Sequence, residues 1–161
     1  MLTNAATALL SLFVINLGIA FGAGIYEHRI VTPRWISGGG GSPHWNAEAA
    51  RRDETGLRFW AYVTTGPLTL LMLANLTIAW TTSGSARPWW LAAALVVLLD
   101  RLLTFGYFIP TMVGLMKAPD SPAAVAAATR WIRLNYLRHA LVFAGWIAAL
   151  EALVLRSQAG G

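Results

Sequence analysis

Four long apolar stretches, separated by polar and glycine-rich connections, set the pattern of this chain. The first covers about 3–26, with one mid-stretch polar side chain, Asn16; the others cover about 59–80, 89–116 and 122–155. Each reaches the roughly 20 residues that a helix needs to cross the hydrocarbon core of a bilayer. No water satisfies backbone N–H and C=O groups in that core, so a segment of this length must cross it as a helix. The pattern therefore predicts an all-α integral membrane protein. It is read as an antiparallel four-helix bundle, one transmembrane domain over residues 1–161 with 27–58 as its long cytoplasmic connection.

Local signals refine the four stretches. Gly18 and Gly22, with Ala20 and Gly24 nearby, allow a second helix to approach the first closely. In the second, Pro67 removes a backbone donor and predicts a kink, with the hydroxyls of Thr64 and Thr65 available to compensate. Ser121 and Pro122 stand where an N-cap and a first helical residue belong. The fourth stretch is amphipathic in its first half (AAVAAATRWIRLNYLRHA) and too long for a simple span, so that half is expected to project from the bilayer. In the connection, Ser37–Pro43 (SGGGGSP) has flexible-linker chemistry, and Ala47–Arg52 (AEAARR) predicts a short surface helix. Trp35 and Trp45 are expected half-wet at the headgroups, and Trp80, Trp89 and Trp90 form an aromatic belt at the other end.

Composition agrees with this pattern: 57% of residues are hydrophobic and 12% charged. The absence of cysteine excludes disulfide and thiolate chemistry. The N-terminus lacks a basic n-region, and its apolar run is too long for a signal peptide. A net charge of +5 could suggest nucleic acid, but the cations cluster between the spans, where they report topology instead. Arg29, Arg34, Arg51, Arg52, Arg58, Lys117, Arg130 and Arg133 lie on one side, against Arg87 and Arg156 on the other. The positive-inside rule puts both polar connections in the cytoplasm and both termini outside the cell membrane. Cysteines introduced at Ser42 and Ser83 are thus expected to label from the cytoplasmic and the outer side respectively; the reverse labelling would overturn the topology.

Chemistry concentrates in the third and fourth stretches. Asp100 and Arg101 sit side by side at the centre of Trp89–Ile109, where each ionised group costs about 2.5–3.5 kcal/mol on insertion scales. Neighbours on a helix point about 100° apart and do not face each other. Asp100 is therefore expected to reach Arg138, and Arg101 to reach Asn16 or Asn75. Trp131, Asn135, Arg138 and Val142 share one stripe of the fourth helix; His139, Phe143 and Trp146 line the next. Asp100, Thr104 and Tyr107 share a face of the third. This places a candidate site between the third and fourth spans, toward the cytoplasmic half. Its expected catalytic groups are His139, Arg138 and Asp100, and its expected substrate contacts are Trp131, Asn135, Tyr107 and Arg101.

The competing reading makes these polar groups interhelical glue that sets the register of the bundle. A metal is an alternative too, since Glu27, His28, His44 and His139 supply nitrogen and oxygen ligands suited to iron, copper or zinc, without a recognised spacing. No second histidine sits opposite His139 within a span to hold a haem. The Gly38–Gly41 run lacks the context and the Lys-Ser/Thr ending of a phosphate loop.

Three further segments stand out: the glycine-rich first span ending in Gly24-Ile25-Tyr26-Glu27 and running to Pro33, the sequence Tyr107-Phe108-Ile109-Pro110-Thr111, and Trp131-x-x-Leu134-Asn135-x-x-Arg138. In these, and in its overall layout, the chain resembles the anthrone oxygenase-like family of small four-span membrane proteins. The resemblance implies oxidation of a polyketide anthrone to an anthraquinone with molecular oxygen and no established cofactor. On that reading His139 or Asp100 would be the base, Arg138, Asn135 and Tyr107 the donors to a developing oxyanion, and Trp131 a stacking platform. The alternatives are a non-catalytic membrane binder of a lipid or quinone, and a structural subunit docked through Asp100 and Arg101. The implied partners are the lipid bilayer and a hydrophobic small molecule; a homo-oligomer stays open.

Overall fold

The computed structural model describes residues 2–38 and 42–158, and the glycines at 39–41 of the expected linker lie outside it. Four segments, Asn4–Trp35, Gly56–Thr81, Ala86–Lys117 and Pro122–Gln158, are helices long and apolar enough to cross a membrane. The protein is an all-helical bundle. Helix α1 (Leu2–Tyr26) continues through a wide π-helical turn, Glu27–Val31, and a 3₁₀ turn, Thr32–Trp35. A two-residue hairpin follows, β1 (Ile36–Ser37) antiparallel to β2 (His44–Trp45), and then the expected short helix α2 (Ala47–Asp53). The second span is a π-helical stretch, Gly56–Thr65, followed by α3 (Pro67–Thr81). The third is α4 (Ala86–Leu103), a π-helical turn Thr104–Phe108 and α5 (Ile109–Lys117). The fourth is one helix, α6 (Pro122–Gln158), with Ser121 Oγ accepting from the backbone N–H of Ala124 at its start. Its 37 residues extend about 55 Å at 1.5 Å per residue, well beyond a bilayer core of about 30 Å.

The spans close into a ring, α6 lying against α1 and α4, and α3 against the same two helices. One core cluster, including Leu10, Phe13, Leu17, Leu68, Met72, Trp90 and Val97, fills the half of the bundle near the α3–α4 turn. A second, including Trp35, Trp45, Phe108, Leu115 and Trp131, fills the end that carries the long connections. Trp35 and Trp45 are thus 1% and 4% exposed, and the expectation of half-wet tryptophans is corrected. Their indoles find partners inside: Trp35 donates to Asp53 Oδ2 and Trp45 to the carbonyl of Leu115, both at 2.9 Å. A buried indole needs its N–H satisfied, and the hairpin folds across the helix ends to provide this.

Asp120 fastens that hairpin. Its Oδ1 accepts from the Trp45 backbone N–H and its Oδ2 lies against His44 Nδ1, both at 2.8 Å. The Trp45 N–H, with His44 second, holds the Asp120 carboxyl below its ordinary value. A depressed carboxylate supplies its stabilisation above the ordinary carboxylate range and loses it as pH falls through the lowered value. Limited proteolysis at His44–Trp45 is therefore expected to stay slow down to that range and to accelerate only below it. Asp120→Ala should accelerate it at neutral pH while leaving bundle melting nearly unchanged.

Each π-helical segment ends two residues before a proline: Val31 before Pro33, Thr65 before Pro67, Phe108 before Pro110. A helical proline lacks a donor and its ring crowds the carbonyl four residues back, so the preceding turn widens. Freed carbonyls then become docking points. The Val63 carbonyl, four residues before Pro67, accepts from Asn16 Nδ2 at 2.8 Å, and the adjacent Thr64 carbonyl accepts from Arg101 Nη1 at 3.1 Å. The expected compensation by the Thr64 and Thr65 hydroxyls is corrected: Thr64 Oγ1 bonds the Trp60 carbonyl, Thr69 Oγ1 bonds the Thr65 carbonyl, and other spans satisfy the two carbonyls before that.

Candidate functional site

Between the two apolar clusters lies a buried polar layer. Asp100 is 0% exposed and Arg101 2%. The Arg101 guanidinium folds back on its own helix, donating from Nε at 3.0 Å and from Nη2 to Asp100 Oδ2. This corrects the expectation that the two point to different neighbours. Cβ vectors diverge on a helix, but an arginine side chain is long enough to return, and in an apolar surrounding its attraction to a carboxylate is barely screened. The expected partners of Arg101 are corrected too. Asn16 reaches Val63, next to the carbonyl that Arg101 uses, whereas Asn75 accepts from Trp90 Nε1 at 2.8 Å and donates to the Leu71 carbonyl.

The expected approach of Arg138 to Asp100 is present, with Nε 3.5 Å from Oδ1. Arg138 Nη1 donates to Asn135 Oδ1, and Asn135 Nδ2 donates to the Trp131 carbonyl. Arg138 also sits 4.8 Å over the ring of Phe108, whose carbonyl accepts from Trp131 Nε1 at 3.0 Å. The stripe from Trp131 to Arg138 is therefore joined to the third span along its length. It is tightly filled by protein groups. Tyr107 lies edge-on to Phe108 at 5.2 Å between ring centres and makes no hydrogen bond to the ion-paired residues among the described residues.

His139 faces the other way, toward the first span. A Cβ built on Gly24 would lie 2.7 Å from its Nε2, so the glycine is what admits the imidazole. Its ring stands edge-on to His28, centres 5.7 Å apart, and His28 in turn lies 4.0 Å from the ring of Tyr136. A cavity of about 450 Å³ opens beside this cluster, lined by His28, Arg29, Thr32, Pro33, Ile36, Ile132 and Tyr136. Its size suits a small-molecule ligand.

The sequence-predicted residues thus fall into two groups. Asp100, Arg101, Arg138, Asn135 and Trp131 form the ion-pair layer, with Tyr107 packed on Phe108 beside it; His139 stands behind His28, which lines the cavity, and none of the expected substrate contacts lines it. Of the four groups considered for a metal, His28 and His139 approach each other, Glu27 accepts from Trp60 Nε1, and His44 is held by Asp120. No cluster of three such ligands forms among the described residues. Arg29, Thr32, Ile132 and Tyr136 were missed as cavity residues. The legible signal was spacing: Ile132, Tyr136 and His139 follow one another by four and three residues, one stripe over from Trp131–Arg138.

No family, no curated protein and no solved structure matches this chain.

Proposed function

We propose that this protein is a membrane-embedded oxygenase acting on a hydrophobic polycyclic aromatic with an acidic benzylic C–H, such as a polyketide anthrone. The observation that supports the reading is the cavity beside the first and fourth spans, with the His28 imidazole in its wall and His139 edge-on behind. The proposal moves the base from His139 or Asp100 to His28, since His139 stands behind His28 and does not line the cavity. Asp100 Oδ2 accepts from two N–H groups of Arg101, and Oδ1, 3.5 Å from Arg138 Nε and without a hydrogen bond, is fully buried, so the carboxylate is out of reach of a substrate in the cavity. The Asp100–Arg101 pair instead joins spans two, three and four, Arg101 reaching Thr64 and Asp100 facing Arg138.

His28 takes the benzylic proton, leaving an electron-rich anion stabilised by the ring system. The anion transfers its electrons to molecular oxygen and forms a C–O bond, and the proton held on His28 returns to the distal oxygen. The resulting hydroperoxide loses its second benzylic hydrogen together with the distal oxygen, as water, giving the quinone carbonyl. One anthrone and one O₂ become one anthraquinone and one water. All four electrons come from the substrate, so no separate reductant enters the balance.

The test is oxygen uptake by purified protein in detergent with anthrone, with quinone absorbance followed in parallel. Uptake well above protein-free autoxidation is expected. No acceleration would overturn the oxygenase reading and leave a binder.

A further inference from the structure

We propose that the same cavity is a lateral binding site for a membrane-resident amphiphile with an anionic oxygen head, and that Arg29 is the residue that selects the charge. The inference deepens the oxygenase reading and rests on it only for the chemistry after binding. Each wall group has a different capacity left to offer a ligand. Thr32 Oγ1 is spent on the His28 carbonyl, at 3.0 Å. His28 is 9% exposed, and its ring is flanked by Tyr136 and His139. Arg29 is exposed and has neither an ion pair nor a hydrogen bond among the described residues, so its guanidinium is open to a ligand. The neighbouring acid, Glu27, accepts from Trp60 on the second span.

The rest of the wall is apolar: Pro33, Ile36, Ile132 and the ring of Tyr136. Tyr136 is 59% exposed, so the mouth reaches the surface of the bundle. Around it Tyr26, Ile30 and Leu137 are exposed as well, the marks of a lipid-facing surface. A cation at one edge of an apolar pocket that opens toward lipid fits a molecule with a hydrocarbon or aromatic body and a phenolate, carboxylate or phosphate head. Such a ligand would slide in from the bilayer, its head on Arg29 and its body against His28. The contact is a charge-assisted hydrogen bond from an exposed guanidinium at the cavity mouth, which favours an anion over its neutral ester.

The experiment uses the full chain in nanodiscs of zwitterionic lipid, with fluorescent anthracene-2-carboxylate and its methyl ester as paired probes. The acid is expected to bind about tenfold tighter than the ester, a difference of about 1.4 kcal/mol. Arg29→Gln should abolish that preference without weakening ester binding, and Arg29→Lys should retain part of it. Nanodiscs that also contain phosphatidylglycerol separate the two sources of the head. Competition with the acid assigns the site to an acidic lipid, and unchanged acid binding assigns it to a free hydrophobic acid. Equal binding of acid and ester by the parent protein, or an undiminished preference in Arg29→Gln, overturns the proposal whatever the turnover. Charge-selective binding without oxygen uptake overturns only the oxygenase reading.

Discussion

Asp100→Leu is expected to destabilise the bundle by about 3–5 kcal/mol, the range for breaking a well-buried ion pair from one side. The carboxylate is the common acceptor of two spans: Arg101 holds Oδ2 from its own helix, and Arg138 faces Oδ1 from α6. Leucine fills the place of the carboxylate but leaves two guanidiniums between apolar clusters. Arg101 keeps the Thr64 carbonyl, and Arg138 keeps Asn135 and the Phe108 ring. Neither residual contact supplies a negative charge. Denaturant titration in mixed micelles measures the loss. The double variant Asp100→Leu with Arg138→Leu should recover part of it, because one stranded cation is gone. A nearly neutral Asp100→Leu would mean that the pair contributes no net stability and that the spans are registered by their apolar faces alone.

His28→Ala is expected to lower kcat for anthrone oxidation by about 10²–10⁴, the usual contribution of a positioned acid–base group, with KM changed little. The side chain lines the cavity from a wide π-helical turn, and its removal leaves the surrounding apolar wall in place. Circular dichroism in detergent should be unaltered. His139 acts differently. It stands behind His28 and against Gly24, and on the oxygenase proposal it is a positioning residue that sets the angle of the first ring. His139→Ala should lower kcat and blunt its pH profile, and His139→Phe, which restores a ring edge, should recover most of the loss. Gly24→Ala should behave like His139→Ala, because the new methyl would occupy the space of Nε2. Full activity in His28→Ala would remove the cavity as the reaction site.

Hydrophobic pattern alone determined the spans, because a helix in lipid must satisfy its backbone internally and so declares itself by length. The same holds for the start of α6 at Ser121–Pro122, for α2, and for the break in the second span at Pro67. These are local rules, readable from a few consecutive residues. Helical spacing also placed Asp100 near Arg138, since both lie on stripes that two neighbouring helices must bury. Tertiary structure decided the rest. Spacing says which face a Cβ occupies but not where a long side chain ends, so Arg101 folding onto Asp100 was not legible in it. Nor was the burial of Trp35 and Trp45, which depends on a hairpin whose anchor, Asp120, is 75 residues away from Trp45. The division of the fourth-helix stripe was equally a matter of neighbours. Trp131 to Arg138 meet the third span, while His139, one residue on, meets the first, because Gly24 leaves room there for a ring. That single step round the helix separates a filled ion-pair layer from an open cavity, and only the packing of α1 on α6 could show it.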